Sequence, residues 1–233
     1  TDVRLLARVT SHIHAVGGRA ILVGDHHQLP EIDAGGGFEA AATRTTTIAT
    51  LTENRRQHEP WEQAALAELR AGSVPTAARA YLDHDRVLVT ADRQAMVDAA
   101  IDAWHTARGA GRDVVLLAGT NELVDVLNDA ARRALIDAGE LPAAVDGTYG
   151  TRSYRIGERV VLRRNSTLAH TLDQQQITVS NGQTGTITAI DHDRLTIRRD
   201  HDHELVTVDR RYLNAGGRVD HAYALTTTRA QGG

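Results

Sequence analysis

Apolar positions at the start of the chain recur with the spacing of an amphipathic α-helix. Val3, Leu6, Val9, Ile13 and Val16 would share one face, and two glycines follow them. Similar spacing, with proline near a helix start or glycine after a helix end, recurs further along. The pattern predicts helices over 3–16, 60–72, 75–82, 92–108 and 120–138.

Short apolar runs separate these helices and are typical of buried strands. They cover residues 20–23, 48–51, 86–90 and 113–118. Strands that alternate with helices of ten or more residues are typical of a mostly parallel, doubly wound sheet. We therefore predict an α/β fold for the first 150 residues.

The pattern changes after Leu141-Pro142, where short strands follow one another with turn residues between them. The Asn181-Gly182 pair is a strong hairpin signal. Predicted strands cover 159–163, 176–179, 185–190, 195–198 and 204–208. These strands indicate a small β-barrel inserted in, or appended to, the α/β fold. The chain then returns to the α/β fold through a strand over 222–225 and a helix beginning within 226–231.

The amino-acid composition excludes several kinds of chemical site. All 26 basic residues are arginine and the chain has no cysteine. A phosphate-binding Gly-Lys-Ser/Thr loop, a lysine Schiff base and a disulfide are therefore excluded within these residues. No apolar run is long enough to span a membrane and the start does not resemble a signal peptide, which favours a cytoplasmic setting.

Charge is spread unevenly along the chain. Residues 1–150 carry 14 arginines against 21 acids, whereas residues 151–233 carry 12 arginines against nine acids. The mildly basic second part favours a polyanionic partner such as DNA. Arginines that are merely solvated at the surface are the alternative interpretation.

A polar segment, Gly24 to Pro30, follows the first apolar run. In open α/β sheets, ligands bind beyond the carboxyl ends of strands. Gln28 could there hydrogen-bond a phosphate oxygen or an attacking water, and a simple polar turn is the alternative. The adjacent His26 and His27 do not predict a metal site, because neighbouring loop side chains seldom converge on one ion.

Two further segments carry groups suited to phosphate. Arg56 follows the apolar run 48–51, and arginine forms bidentate contacts with phosphate; a local ion pair is the alternative. Three threonines, 226–228, follow the last predicted strand and offer hydroxyls and backbone N–H groups to an anion, or simply cap a helix. His201-Asp202-His203 has the composition of a metal triplet, but a polar hairpin tip is the favoured interpretation.

Taken in order, these segments resemble the motifs of superfamily 1 helicases. GDHHQLP resembles the third motif, LTENRRQ the fourth and TTTRAQG the fifth. RIGERVVLRRN followed by NGQTG resembles the small Src-homology-3-type (SH3-like) barrel that RecD-like helicases insert into their second motor domain. LLAGTNELVDVLNDAARRAL and HAYALTTTRAQG look most like the helicase region of conjugative relaxases of the TrwC/TraA (MobF) type.

The resemblance implies a domain organisation. It assigns residues 1–40 to the tail of a first RecA-like domain and 41–150 to a second RecA-like, parallel-sheet motor domain. It assigns 151–218 to the inserted SH3-like β-barrel and 219–233 to the return into the second motor domain. The Walker A, Walker B and sixth motifs of the family are not found in the sequence, so we expect the chain to be part of a larger protein.

The resemblance also implies site residues. Gln28 would sense the γ-phosphate of ATP, and Arg56 would reach that phosphate across the cleft between motor domains; both would be catalytic. The implied nucleotide-binding residues are Gly24, Asp25, Gln28, Arg56, Gln231 and Gly232. The implied DNA-binding residues are Thr226, Thr228 and Arg229. Thr228 stands where the family usually has histidine.

The implied function is that of an ATP-dependent helicase or translocase moving 5′ to 3′ on single-stranded DNA during conjugative plasmid transfer. ATP and Mg²⁺ are expected in the complete protein, with ATP bound through the first motor domain. These 233 residues alone are expected to bind neither tightly and to be inactive. The alternatives are a vestigial helicase-like module of a relaxase that only grips single-stranded DNA, and a RecD-type repair helicase.

Overall fold

A computed structural model describes residues 3–25, 36–45, 47–51, 56–149, 151–173, 175–214 and 219–227. The chain divides into two compact units, residues 1–89 and 90–233. Within the described ranges, every helix is too short or too polar to cross a membrane.

The first unit is helical. Its helices are α1 (Val3–Ala15), α2 (Gly37–Arg44), α3 (Pro60–Arg70) and α4 (Val74–Asp83). The predictions of α1, α3 and α4 are confirmed, and α2 was not predicted. Helix α2 packs on α1 so closely that a Cβ atom at Gly37 would lie 3.1 Å from Val3 Cγ2 and 3.2 Å from Leu6 Cδ2.

Three predicted strands, 20–23, 48–51 and 86–90, are wrong: the structure forms no strand there. The apolar side chains of these runs are exposed, with Ile21 at 89%, Val23 at 92% and Leu51 at 100%. A strand exists only where a neighbour pairs its backbone N–H and C=O groups. The described residues of the first unit form no strand that could supply that pairing.

The α/β part of the second unit is built from two helices and a parallel strand pair. Helices α5 (Arg93–Gly109) and α6 (Asn121–Asp137) confirm their predictions, and Asp92 and Thr120 cap their N-termini. Strand β1 (Leu116–Ala118) lies within the predicted strand 113–118. It pairs in parallel with the last strand of the described chain, β11 (Ala224–Thr226), which overlaps the predicted return strand.

Antiparallel strands make up the rest of the second unit. A two-stranded hairpin precedes a seven-stranded sheet, and the five strands predicted in this region are confirmed. The elements are β2 (Gly147–Tyr149), β3 (Arg152–Tyr154), β4 (Arg159–Leu162), β5 (Ser166–Thr171), β6 (Gln176–Val179), β7 (Thr184–Asp191), β8 (Arg194–Arg199), β9 (Leu205–Asp209), α7 (Arg210–Asn214) and β10 (Val219–His221).

The seven-stranded sheet has the order β10-β4-β7-β8-β9-β5-β6, with antiparallel neighbours throughout. Alternate residues of β8 and β9 point into one apolar core, as strand geometry requires. His201-Asp202-His203 lies in the β8–β9 turn, where Arg199 binds Asp202 at 2.6 Å, so the hairpin-tip interpretation is confirmed. Closure into an SH3-like barrel and the three predicted domain boundaries stay predictions.

Candidate functional site

The first predicted site segment begins beneath an aromatic ring. A Cβ atom at Gly24 would lie 3.2 Å from two carbon atoms of the Phe38 ring, which projects from α2. Any larger residue would therefore have to push the ring aside. Asp25 follows Gly24 directly, and Gln28 lies outside the described residues. Glycine is thus needed at this position for the close approach of backbone and ring.

The segment around Arg56 is attached to α3. Gln63 of α3 donates a hydrogen bond from Nε2 to the carbonyl oxygen of Gln57 at 2.8 Å. Helix α3 is in turn held to α4, because the Trp61 ring stacks on the His84 ring with centroids 3.9 Å apart. Arg56 itself is exposed at the start of this helical pair. Its guanidinium is chemically suited to phosphate.

In the second unit, the predicted segment at Thr226 lies at the same sheet edge as the start of α6. In the parallel pair, Ala118 of β1 lies opposite Thr226 of β11, so both strands end at the same edge. Thr120 follows β1 and caps α6, its Oγ1 accepting a hydrogen bond from the Leu123 N–H at 3.2 Å. Strand ends of this kind are where α/β sheets bind ligands. Threonine hydroxyls and helix N–H groups at this edge can donate to an anion.

A buried asparagine on α6 fixes the strand that carries Thr226. Asn128 Oδ1 accepts hydrogen bonds from the N–H groups of Tyr223 at 2.9 Å and Ala224 at 3.0 Å. Its Nδ2 donates to the Ala224 carbonyl at 3.3 Å. The Asn128 carboxamide thus forms hydrogen bonds with the backbone at the start of β11, as a neighbouring strand would. The position of Thr226 is determined from both sides, by β1 and by Asn128.

Asn128 is one of four polar residues on a single face of α6, which we name the polar stripe: Asn121, Asp125, Asn128 and Arg132. Sequence analysis missed this stripe. Its signal was present, because polar residues recur at helical spacing between apolar ones in NELVDVLNDAAR. Such a stripe on a helix that packs in the interior indicates long-range polar partners.

The far end of the polar stripe binds a fully buried carboxylate. Glu158, which precedes β4, has no exposed surface. Its Oε1 lies 2.6 Å from Arg132 Nε, and its Oε2 lies 3.2 Å from His221 Nε2 and 2.9 Å from the Arg155 N–H. Burial raises the pKa of Glu158, but the hydrogen bonds from His221 and Arg132 outweigh burial and leave that pKa below its usual range. The cluster joins α6, β4 and β10.

Between the sheet edge and this cluster lies a small cavity of about 90 Å³. Two strand residues, Ala224 and Leu225, line it directly before Thr226. Its polar lining consists of Asn121, Asp125, Asn128, Arg152, Arg163, Asp220 and His221. A cavity of this size and polarity admits a small polar or charged group, not a nucleotide.

The described part of the chain includes four of the nine predicted site residues. Gly24, Asp25 and Arg56 lie in the first unit, and Thr226 lies in the second. The other five lie outside the described residues: Gln28, Thr228, Arg229, Gln231 and Gly232. All nine assignments stay predictions.

ATP and Mg²⁺ require groups that these residues do not supply. The chain contains no lysine for a phosphate loop. Over the described ranges, no cluster of three or more histidine, aspartate or glutamate side chains could hold a metal ion. The residues that the structure describes therefore do not supply a complete site for ATP and Mg²⁺, and the ATP and Mg²⁺ expected of the complete protein stay a prediction.

Comparison with known proteins gives relatives over most of the chain. A family model described as an AAA domain matches residues 1–92. The conjugal transfer protein TraA of Agrobacterium fabrum is 29% identical over 221 residues, which cover 93% of this chain and 19% of the relative. The TraA protein of Rhizobium radiobacter is 28% identical over 223 residues, with the same two coverages. The chain thus spans about a fifth of the length of these relatives.

Among solved structures, the chain is similar to Pif1 helicases of Bacteroides. Pif1 bound to single-stranded DNA is 16% identical with a TM-score of 0.42, over 93% of this chain and 54% of that one. A Pif1 double mutant is 15% identical with a TM-score of 0.36, over all of this chain and 59% of that one.

Proposed function

We propose that the chain is part of an ATP-dependent DNA translocase that acts on single-stranded DNA in conjugation. Two findings support this: the chain is similar to TraA conjugal transfer proteins, and its motifs resemble those of superfamily 1 helicases. In this proposal it contributes the second RecA-like motor domain and an inserted SH3-like barrel. The parent protein moves 5′ to 3′ along the strand, driven by ATP and Mg²⁺ that bind through its first motor domain.

One observation carries the DNA part of the proposal: the polar sheet edge at the ends of β1 and β11. Thr120 and Thr226 lie at that edge, and Asn128 fixes β11 before any ligand arrives. Pre-ordered donors bind an anion without a further cost of ordering them. The excess of arginine over acidic residues in 151–233 supports the same partner, because a DNA strand is a polyanion.

A second candidate function is a strand-gripping module without ATP turnover. Threonine at position 228, where related helicases usually have histidine, favours this candidate. In this candidate the sheet edge would bind DNA as proposed, but binding would not be coupled to hydrolysis.

ATP hydrolysis by the full-length parent protein, with and without oligothymidylate, separates the two. We expect DNA-stimulated turnover that Arg56→Ala lowers by about 10³-fold or more, the effect typical of an arginine that stabilises a transferring phosphoryl group. Arg70→Ala is the matched control, because Arg70 is an exposed arginine at the end of α3. Turnover in that variant should be unchanged.

Three outcomes are informative. Lost turnover with intact oligothymidylate binding in Arg56→Ala supports the motor. Equal turnover in Arg56→Ala and Arg70→Ala contradicts the role given to Arg56. Strand binding by the unaltered parent with no turnover at all supports the strand-gripping module.

A further inference from the structure

In the small cavity, two arginines bind one carboxylate. Arg152 Nη2 lies 3.0 Å from Asp220 Oδ1, and Arg163 Nε lies 2.8 Å from Asp220 Oδ2. Each carboxylate oxygen thus has its own guanidinium. The three side chains are partly exposed, at 33%, 23% and 17% for Arg152, Arg163 and Asp220. The group is therefore accessible from solvent, unlike the buried cluster around Glu158.

The fold brings these residues together from three elements. Asp220 of β10 lies opposite Val161 of β4, and Arg163 follows Val161 by two residues, on the same face of the sheet. Arg152 begins β3 and also approaches Asp125 of the polar stripe, at 3.8 Å. The contact of Arg152 with Asp220 is the shorter of the two, at 3.0 Å. Asp220 is therefore the principal partner of both arginines.

Two guanidiniums on two oxygens is also the arrangement in which arginines bind a phosphate group. In the structure, the carboxylate of Asp220 supplies the two oxygens of this arrangement. The same cavity is lined by Ala224 and Leu225, and Thr226 follows them at the polar sheet edge. Leu225 thus connects the lining of the cavity to that edge.

We propose that Arg152 and Arg163 form a phosphodiester-binding site for single-stranded DNA, and that Asp220 occupies this site when DNA is absent. The proposal rests on the proposed function for the identity of its ligand. Binding exchanges one intramolecular ion pair for another, so Asp220 lowers the affinity for DNA. An isolated small anion competes poorly with a tethered carboxylate, whereas a strand already held at the sheet edge competes well.

Removing the carboxylate while keeping its shape tests the proposal. Binding of fluorescein-labelled oligothymidylate to the 233-residue chain is measured by anisotropy for Asp220→Asn. The matched control is Asp193→Asn, which makes the same charge change at an exposed pair, Asp193 with Arg210 at 3.3 Å. We expect Asp220→Asn to tighten binding by about fivefold or more and Asp193→Asn by less than about twofold.

The arginines supply the second arm. In the Asp220→Asn background, Arg152→Gln or Arg163→Gln should remove the gain in affinity, and Arg210→Gln should not. The dependence of log affinity on log salt should steepen by up to about 1.4 in Asp220→Asn, because two further arginines then contact the strand. Where Asp220→Asn fails to fold, as judged by thermal unfolding, Arg163→Gln alone should weaken binding about threefold relative to Arg210→Gln.

Several results would overturn the site. An equal gain in DNA affinity in Asp220→Asn and Asp193→Asn would show that the gain comes from the change in net charge and not from a specific site. An unchanged DNA affinity in a folded Asp220→Asn variant would show that the ion pairs of Asp220 have only a structural role. Displacement of oligothymidylate from Asp220→Asn by inorganic phosphate at the same phosphate concentration would identify a site for free phosphate.

The outcomes also separate this inference from the proposed function. If the parent protein shows no ATP turnover but Asp220→Asn binds oligothymidylate more tightly, the proposed motor function is contradicted and the phosphodiester site is supported. If ATP turnover is stimulated by DNA but Asp220→Asn and Asp193→Asn bind oligothymidylate equally, the motor function is supported and the phosphodiester site is contradicted.

Discussion

Strand β4 contains three consecutive apolar residues and the run 20–23 contains four, yet the two segments have opposite environments. Val160, Val161 and Leu162 of β4 are at most 2% exposed, whereas Ile21 and Val23 are about nine-tenths exposed. β4 lies between β7 and β10, which pair with it antiparallel. The described residues around 20–23 contain no such neighbours. An apolar run therefore shows that a segment can be a strand, but a partner edge decides whether it becomes one.

The largest expected effect comes from the buried ion pair that joins α6 to the region containing β4. Arg132→Ala leaves the carboxylate of Glu158 buried with one guanidinium fewer, and breaking a buried pair in this way costs about 3–5 kcal/mol. Urea unfolding followed by Trp104 fluorescence in a Trp61→Phe background reports on the second unit, because the chain has only these two tryptophans.

Arg210→Ala is the control for that measurement. Its pair with Asp193 is exposed, and such pairs are worth less than about 1 kcal/mol. A similar loss of stability in Arg132→Ala and Arg210→Ala would show that the buried cluster does not hold α6 to the sheet.

An isoleucine-to-alanine substitution should have an intermediate effect on stability in the antiparallel sheet that contains β4 and almost none in run 20–23. Ile197 of β8 is 1% exposed and Ile21 is 89% exposed. We expect Ile197→Ala to lower the free energy of unfolding of the second unit by about 2–5 kcal/mol. Ile21→Ala should change the stability of the first unit by less than about 0.5 kcal/mol, measured through Trp61 in a Trp104→Phe background. A loss above about 2 kcal/mol for Ile21→Ala would mean that run 20–23 is packed.

The smallest effect expected is the acid dependence of the second unit. Because the folded-state pKa of Glu158 lies below its unfolded value of 4.5, its ionised form stabilises the fold above that pH. The stabilisation is lost as the pH falls through the lower, folded-state pKa. Urea midpoints of the second unit should therefore fall below about pH 4.5. Glu158→Gln should flatten this part of the profile, and an unchanged slope in that variant would assign the acid sensitivity to other carboxyl groups.

Helices were predictable where local signals sufficed. Thr120 and Asp92 are caps that the sequence displays, and α6 shows an apolar periodicity. Helix α2 escaped prediction because it begins after Gly36 in a left-handed conformation, φ 85°, without a side-chain cap. Strand β5 escaped because its sequence, STLAHT, is largely polar and its pairing shifts register between Ser166 and Ala169.

The candidate site was predictable only where a motif marks it. The motif at Thr226 points to the end of β11, where that residue lies opposite Ala118, two residues before Thr120. The supporting residues have no local signature, because their partners are distant in sequence: Asn128 bonds Ala224, and Arg132 bonds Glu158. The role of a buried polar residue in a helix can be assigned only once the folded structure shows which distant residues it contacts.

Only Ala222 and Tyr223 separate β10, in the antiparallel sheet, from β11, which carries Thr226. Both residues are also bound to the start of β4: the Ala222 N–H donates to the Arg159 carbonyl at 3.0 Å, and the Arg159 N–H donates to the Tyr223 hydroxyl at 3.2 Å. A two-residue link spans at most about 7 Å. Because the link is short and hydrogen-bonded to β4, we expect a displacement of the antiparallel sheet to move Thr226 with it.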